Sequence, residues 1–379
     1  MSKRSTVPFR PLAIASLLLV SIGCSAPAPD ASGTTSASPA PGPVADAREV
    51  PVIDEIFVSA LTPEDNIDSP AAWTAPDGRV QVIATAKSTD RLVIYDGATG
   101  ETLRAFGSSG AGPGQFRRPN GIAVVDDLAF VVERDNHRVQ VLRLPDFGHV
   151  ATFAADDLVK PYGLWVRKVD GGYTLYVTDS YHDGEDAQGN DVLPALEKLD
   201  RRVHRYAVRA QGEGLAVEAL GAFGDTTPEG ALRVVESLWG DPANDRLLIA
   251  EEDETYANEL KVYDLEGRFA GKTIGRDVFA AQAEGIMLKT CAGGTGWWIT
   301  TEQGKGQTVF HLFDRQSLAH TGAVTGRKVA NTDGIWLHDA PSAGFPDGVL
   351  YAVHDDQGLV AFDWRAIATA LALPACDRA

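Results

Sequence analysis

The sequence predicts an all-β fold, a six-bladed β-propeller of four-stranded antiparallel blades, preceded by a signal peptide and a disordered tether. The first observation is a strand ending in a turn that recurs six times, at Leu92–Asp96, Arg138–Leu142, Val203–Tyr206, Leu260–Asp264, Val309–Asp314 and Leu359–Asp363. The second is an apolar, β-branched or aromatic strand before each copy, at Val80–Lys87, Leu128–Arg134, Tyr173–Asp179, Arg246–Glu252, Gly296–Glu302 and Val349–Asp355. The third is a shorter strand before each of those, at Pro70–Trp73, Asn120–Ala123, Tyr162–Trp165, Glu236–Trp239, Glu284–Met287 and Asp333–Trp336. Internal repetition at this spacing means one supersecondary unit stacked on copies of itself. Radial blades joined by Gly- and Asp-rich turns leave only short, protected edges.

A fourth strand is expected after each turn, as in Thr102–Phe106 and Val150–Phe153. Val52–Leu61 is expected to close the ring by adding a strand to the last blade. Tyr181–Leu199 departs from the repeat and reads as a polar loop with a short helix on the third blade, and loops on rigid scaffolds are where sites are often covered.

The start of the chain carries Lys3, Arg4 and Arg10, an apolar run from Leu12 to Gly23, and then Cys24 after Val-Ser-Ile-Gly. That pattern is a bacterial export signal (1–23) ending in a lipobox, with Cys24 the lipidated residue. The apolar run is shorter than the about 20 residues needed to span a bilayer, so the membrane is engaged through the lipid. Residues 24–48 are almost wholly Ala, Pro, Ser, Thr, Gly and Asp, a composition that cannot bury enough apolar surface to fold. The propeller occupies 49–379. The expected location is the cell envelope, on the periplasmic side or the outer membrane, as a monomer.

With Cys24 assigned to the lipid, Cys291 and Cys376 are the remaining two of three cysteines. In an oxidising compartment they either form a disulfide or stay separate as buried thiols, and spacing alone fixes no geometry. The net charge of -18 excludes nucleic acid as a partner, because phosphate backbones are bound by clustered Lys and Arg. No His/Cys cluster has zinc spacing, and there is no nucleophile elbow, P-loop or dinucleotide fingerprint.

The repeat assigns chemistry by position. First and second strands of a blade run antiparallel, so the start of one and the end of the other meet at the same mouth of the central channel. The first-strand starts are Pro70, Asn120, Tyr162, Glu236, Glu284 and Asp333; the second-strand ends are Lys87, Arg134, Asp179–Ser180, Glu251–Glu252, Glu302–Gln303 and His354–Asp355. Blades one and two are therefore expected to present a basic flank and blades four to six an acidic one. Carboxylates crowded near an axis repel unless a cation lies between them. Ca²⁺ suits them, because it accepts many oxygen ligands in flexible geometry. Glu236, Glu251, Glu252, Glu284, Asp333 and Asp355 are the expected metal ligands; Lys87, Arg134 and Tyr162 are expected to hold an anionic substrate.

The order of these motifs resembles the β-propeller phytases, six-bladed calcium-dependent phosphatases. The likeness is carried by Glu236, Ile249-Ala-Glu-Glu-Asp-Glu254, Ala283-Glu-Gly-Ile286, Thr301-Glu-Gln-Gly304, Asn331-Thr-Asp-Gly-Ile335 and Phe345-Pro-Asp-Gly348. Asp68-Ser-Pro-Ala-Ala-Trp73 followed by Lys87 extends it to the first blade. The resemblance implies calcium held by Glu236, Glu252, Glu284 and Asp333, phosphate bound by Lys87 and Arg134, and attack of a metal-activated water on phytate or a related phosphate ester. Two departures stand out: Ser180-Tyr181 replaces a Lys-Glu pair of that family, and Ser69 stands where it carries an acid. Blade two, with Gly114-Gln-Phe116, Pro119-Asn-Gly-Ile122 and Asp135-Asn-His-Arg-Val139, is more similar to an NHL repeat. The alternative function is thus a non-catalytic, lipid-anchored NHL-like propeller binding a protein or glycan. A lactonase-like hydrolase using one ion, with Asn120 among its ligands, is a third. Trp239, Trp297, Trp298 and Trp336 are read as blade-packing residues, with sugar stacking the other role open to a Trp at a channel mouth.

Overall fold

Six four-stranded antiparallel sheets follow one another along the chain in the computed structural model, which describes residues 50–378 apart from residue 213. The signal, Cys24 and the tether lie outside the described residues. Blade one is Ile67–Thr74, Val80–Ala86, Arg91–Asp96 and Thr102–Phe106; blade two runs from Pro119–Val125 to Gly148–Phe153, and blade three from Pro161–Val169 to Gly214–Phe223. Blade four runs from Leu238–Asp241 to Phe269–Ile274 and blade five from Gln282–Thr290 to His320–Gly326. Blade six has three strands of its own, Ile335–His338, Val349–His354 and Gly358–Asp363. Among the described residues no helix is long and apolar enough to cross a membrane.

The aspartate that ends several of the repeated third strands acts in the turn that follows. Asp96 accepts from the backbone N–H groups of Ala98 and Thr99, and Asp314 from those of Gln316 and Ser317. Such local bonds satisfy turn donors that no sheet neighbour reaches. Asp363 uses the same chemistry to start the helix Trp364–Ala370 by accepting from the Arg365 N–H.

The apolar residues of each strand divide between the two faces of its blade, giving six clusters, each lying between neighbouring blades. Val82, Val93, Val349 and Val353 join blades one and six; Phe130, Val141, Leu175 and Val177 join blades two and three. The ring closes through the start of the chain, but in two places rather than one. Phe57–Val58 is the fourth strand of blade six, pairing antiparallel with Val360 and Ala361, while Val52–Ile53 pairs in parallel with Thr325 and Gly326 of blade five. The expectation of a single added strand over Val52–Leu61 is corrected accordingly. Cys291 of blade five and Cys376 of the C-terminal tail form a disulfide, with Cα atoms 5.1 Å apart. The insertion on blade three contains the short 3₁₀ turn Leu196–Lys198 and a Glu185–Asp191 bridge.

Innermost strands of neighbouring blades approach closely enough to demand glycine. A Cβ on Gly163 would lie 2.1 Å from the Glu236 carbonyl oxygen of the next blade. Gly163→Ala is therefore expected to cost about 3 kcal/mol in urea denaturation, whereas Gly148→Ala, which meets nothing within 4 Å, stays within about 0.5 kcal/mol.

Candidate active site at the channel mouth

In four of the six blades the first strand enters the channel through an irregularity. The pairing of first and second strands slips between Ile67 and Pro70 in blade one, opposite Val131 and Glu133 in blade two, between Pro161 and Leu164 in blade three, and between Ala283 and Ile286 in blade five. A bulge of this kind re-aims one side chain out of the alternating pattern. One polar residue per blade stands at the mouth, four of them beside such a slip and Glu236 and Asp333 just ahead of their strands: Asp68, Asn120, Tyr162, Glu236, Glu284 and Asp333.

The residue after each of these is Gly or Ser, which lets adjacent blades bond directly behind the mouth. Gly285 donates its N–H to the Asp333 carbonyl (3.0 Å) and Gly334 to that of Asp68 (3.1 Å). Thr85 and Thr178 donate hydroxyl bonds to the Asn120 and Glu236 carbonyls, at 2.5 and 3.0 Å. The backbone carrying the ring is thus fixed across blade boundaries before any ligand arrives, which is what a precise site requires.

Carboxylate oxygens of Glu236, Glu252 and Glu284 all lie within 4.8 Å of one another. Glu252 and Glu284 are each 3 % exposed. One Glu252 oxygen accepts from the N–H groups of Glu236 and Ser237; the other is buried with no partner. Beside them is a second group: Lys87 Nζ is 2.6 Å from Asp68 and 3.3 Å from Asp333, and 3.3 Å from the Tyr162 hydroxyl. Tyr162 in turn donates to Asp68 at 3.1 Å, and Gln303 donates to Asp333. Below the ring, the next residues of all six first strands line a cavity of ≈ 60 Å³ ending at Trp239, Met287 and Trp336. Trp239 and Trp336 meet edge to face at 5.7 Å and both line that cavity.

An NHL repeat model matches residues 116–142, a stretch that begins just before blade two and takes in most of it. The chain is a six-bladed β-propeller containing an NHL repeat. Solved structures of similar fold include hydrazine synthase from Kuenenia stuttgartiensis, at 11% identity and TM-score 0.41 over 82% of this chain and 77% of that one. Another is a nidogen/laminin complex, at 14% identity and TM-score 0.42 over 83% of this chain and 89% of that one. Identities this low concern the fold alone. No curated protein matches the chain by sequence.

Several residues assigned to the propeller's mouth by repeat position are absent from it. Pro70 lies beyond the bulge, and Asp68 takes its place in the ring. Ser69 therefore deprives blade one of no carboxylate. Glu251 precedes Glu252 by one residue and so faces the other side of the strand, where its carboxylate accepts from the N–H groups of Arg233, Val234 and Asp253. Asp179 does the same for Val159 and Lys160, and Glu302 for Ala280, so these acids hold the loops leading into their blades. Arg134 turns to Asp135 (2.7 Å), and exposed Asp355 is bound by Gln357. The basic flank thus reduces to Lys87, itself held by two carboxylates. Trp298 is fully buried and donates to the Arg315 carbonyl, and Trp297 packs on Trp364 at 6.0 Å.

Burial, then the neighbouring Asp68, pushes Glu236 up to about 8, against the opposing pull of Lys87. Burial and then Glu284 and Glu236 hold Glu252 well above the carboxylate range; burial and then Glu236 and Asp333 do so for Glu284. Burial raises Asp333 to about 7 even beside Lys87. Lys87 loses to burial but is carried above its ordinary value by Asp68 and Asp333. Burial also raises the Tyr162 phenol, with Asp68 and Glu236 adding to it.

Oxygens within 4.8 Å of one another can share a cation that binds each at about 2.4 Å, so the residues fit calcium. Without a cation, Glu236 and Asp333 keep protons in the folded state that the unfolded chain has already lost. Stability of the cation-free protein is then greatest below about pH 4 to 4.5, considering these groups alone, and falls as pH rises through about 7 to 8. Melting in EDTA is expected to show that fall between about pH 5 and 8, and saturating Ca²⁺ to flatten it. Equal slopes with and without Ca²⁺ would count against a cation at the ring.

Proposed function

We propose that the protein is a calcium-dependent phosphomonoesterase, phytase-like in chemistry, working at the channel mouth. The observation that carries this reading is the trio of half-buried Glu236 and buried Glu252 and Glu284, with its unpartnered Glu252 oxygen. Burying an unpaired acceptor among like charges is costly unless something of opposite charge completes it. Calcium bound there would supply a Lewis acid that neutralises phosphoryl oxygens and a nucleophilic water of lowered pKa. Asp68 and Asp333 are further carboxylates of the same ring, and the phytase-like order of motifs from Glu236 onward supports the substrate class.

Charge limits how many ions are needed. Once calcium has displaced the protons and all five carboxylates are ionised against the single ammonium of Lys87, one divalent ion leaves the mouth negative and a second brings it to neutrality, so the reading takes two ions to admit a phosphate dianion. Lys87 is the chain's own cation for the phosphate, and Tyr162 orients it through their hydrogen bond. The basic start, apolar run and Cys24 support an exported protein held in the cell envelope by lipid.

A non-catalytic reading is favoured by one feature. Arg134 faces Asp135 and Ser180 stands in place of a lysine, so fewer cations face the mouth than a phosphatase of this kind is expected to use. The test is hydrolysis of p-nitrophenyl phosphate and phytate with added Ca²⁺. EDTA is expected to abolish turnover and Ca²⁺ to restore it, and Glu284→Gln to lower kcat/KM by about 100-fold. A protein that binds Ca²⁺ but hydrolyses neither ester supports the binding role instead.

A further inference from the structure

Asn120 is fully buried, and neither its carboxamide oxygen nor its nitrogen has a hydrogen-bond partner. It is the blade-two member of the mouth ring, and its two ring neighbours bond to each other, Tyr162 donating to Asp68 at 3.1 Å. Its backbone carbonyl is already held by Thr85, so the main chain is fixed while the side chain is not satisfied. A buried amide with no partner is destabilising, and an apolar side chain of the same shape would be better tolerated there. Groups left in this condition call for an explanation in a ligand, ion or strained function.

Ring order decides between a metal-binding and a substrate-binding role. Blade two is opposite blade five, so Asn120 lies across the channel from Glu284, on the far side from the Glu236, Glu252 and Glu284 trio. A cation shared by that trio draws its ligands from blades four and five, whereas a molecule bridging from the cation across the channel meets blade two. The carboxamide also adds a donor without adding charge to a mouth already rich in carboxylates.

We propose that Asn120 is a substrate-binding residue whose Nδ2 donates to an oxygen of the bound phosphate, opposite the metal. This rests on the phosphomonoesterase reading. Asn120 has no exposed surface of its own, and phosphate takes up the donor that the folded chain leaves idle.

The test compares wild type with Asn120→Leu, a near-isostere, by thermal melting in EDTA, in Ca²⁺, and in Ca²⁺ with inorganic phosphate. Asn120→Leu is expected to melt in EDTA at or above the wild-type temperature and to keep its Ca²⁺ shift. It should lose the further shift caused by phosphate, and KM for p-nitrophenyl phosphate should rise about tenfold, the worth of one hydrogen bond to a charged group. Asn120→Asp, which swaps the donor for a charge, should lose the phosphate shift as well. The inference is overturned if Asn120→Leu keeps the phosphate shift, or if it melts well below wild type in EDTA, which would make Asn120 structural. Wild type lacking any phosphate shift overturns both this and the phosphomonoesterase reading; wild type lacking the Ca²⁺ shift overturns the metal site beneath them.

Discussion

Carboxylates that repel one another are held together, buried or half-buried, on the axis of the propeller. Every feature around the mouth can be understood as either causing this crowding or relieving it. The blade-boundary bonds from Gly285, Gly334, Thr85 and Thr178 fix the main chain of the ring, so the side chains cannot relax apart by moving their strands. Relief comes from Lys87 on one side and from protonation on the other, where burial and mutual repulsion keep Glu236, Glu252 and Glu284 from ionising readily. A divalent cation does the same work without consuming protons, and it uses the Glu252 oxygen that the folded chain leaves without a partner.

The scaffold stores the cost of this arrangement elsewhere. Six interblade clusters of buried aliphatic and aromatic residues, a ring closed by Phe57–Val58, and a disulfide fastening the tail to blade five supply the stability. The acids one step back from the mouth, Asp179, Glu251 and Glu302, belong to that scaffold. They receive backbone N–H groups of the loops that lead into their own blades, and a carboxylate fully engaged in this way has little left to offer an ion.

The propeller was legible because its strands repeat in type and order six times, and six copies overdetermine an architecture. The mouth was legible where the repeat aligns its residues directly, at Asn120, Tyr162, Glu236, Glu284 and Asp333. It misled in blade one, where one residue, Ser69, separates Asp68 from Pro70 and no composition cue marks which of them the slip brings to the mouth. The choice between Glu251 and Glu252 was open to strand alternation, since adjacent residues face opposite sides and Glu252 follows the last residue of its strand. Arg134 and Asp355 occupy suitable positions but turn to Asp135 and Gln357, choices made by side-chain torsions that no spacing encodes. The unpaired state of Asn120 has no sequence signature at all, because it is a property of its surroundings.

The central claim is that the axial carboxylates exchange protons for a cation. Calorimetric titration of Ca²⁺ into the protein near pH 7, repeated in two buffers of different ionisation enthalpy, measures that exchange directly. The account predicts buffer-dependent heats corresponding to net proton release, diminished in Glu236→Gln. Saturable binding with no proton release, or no binding at all, would contradict it.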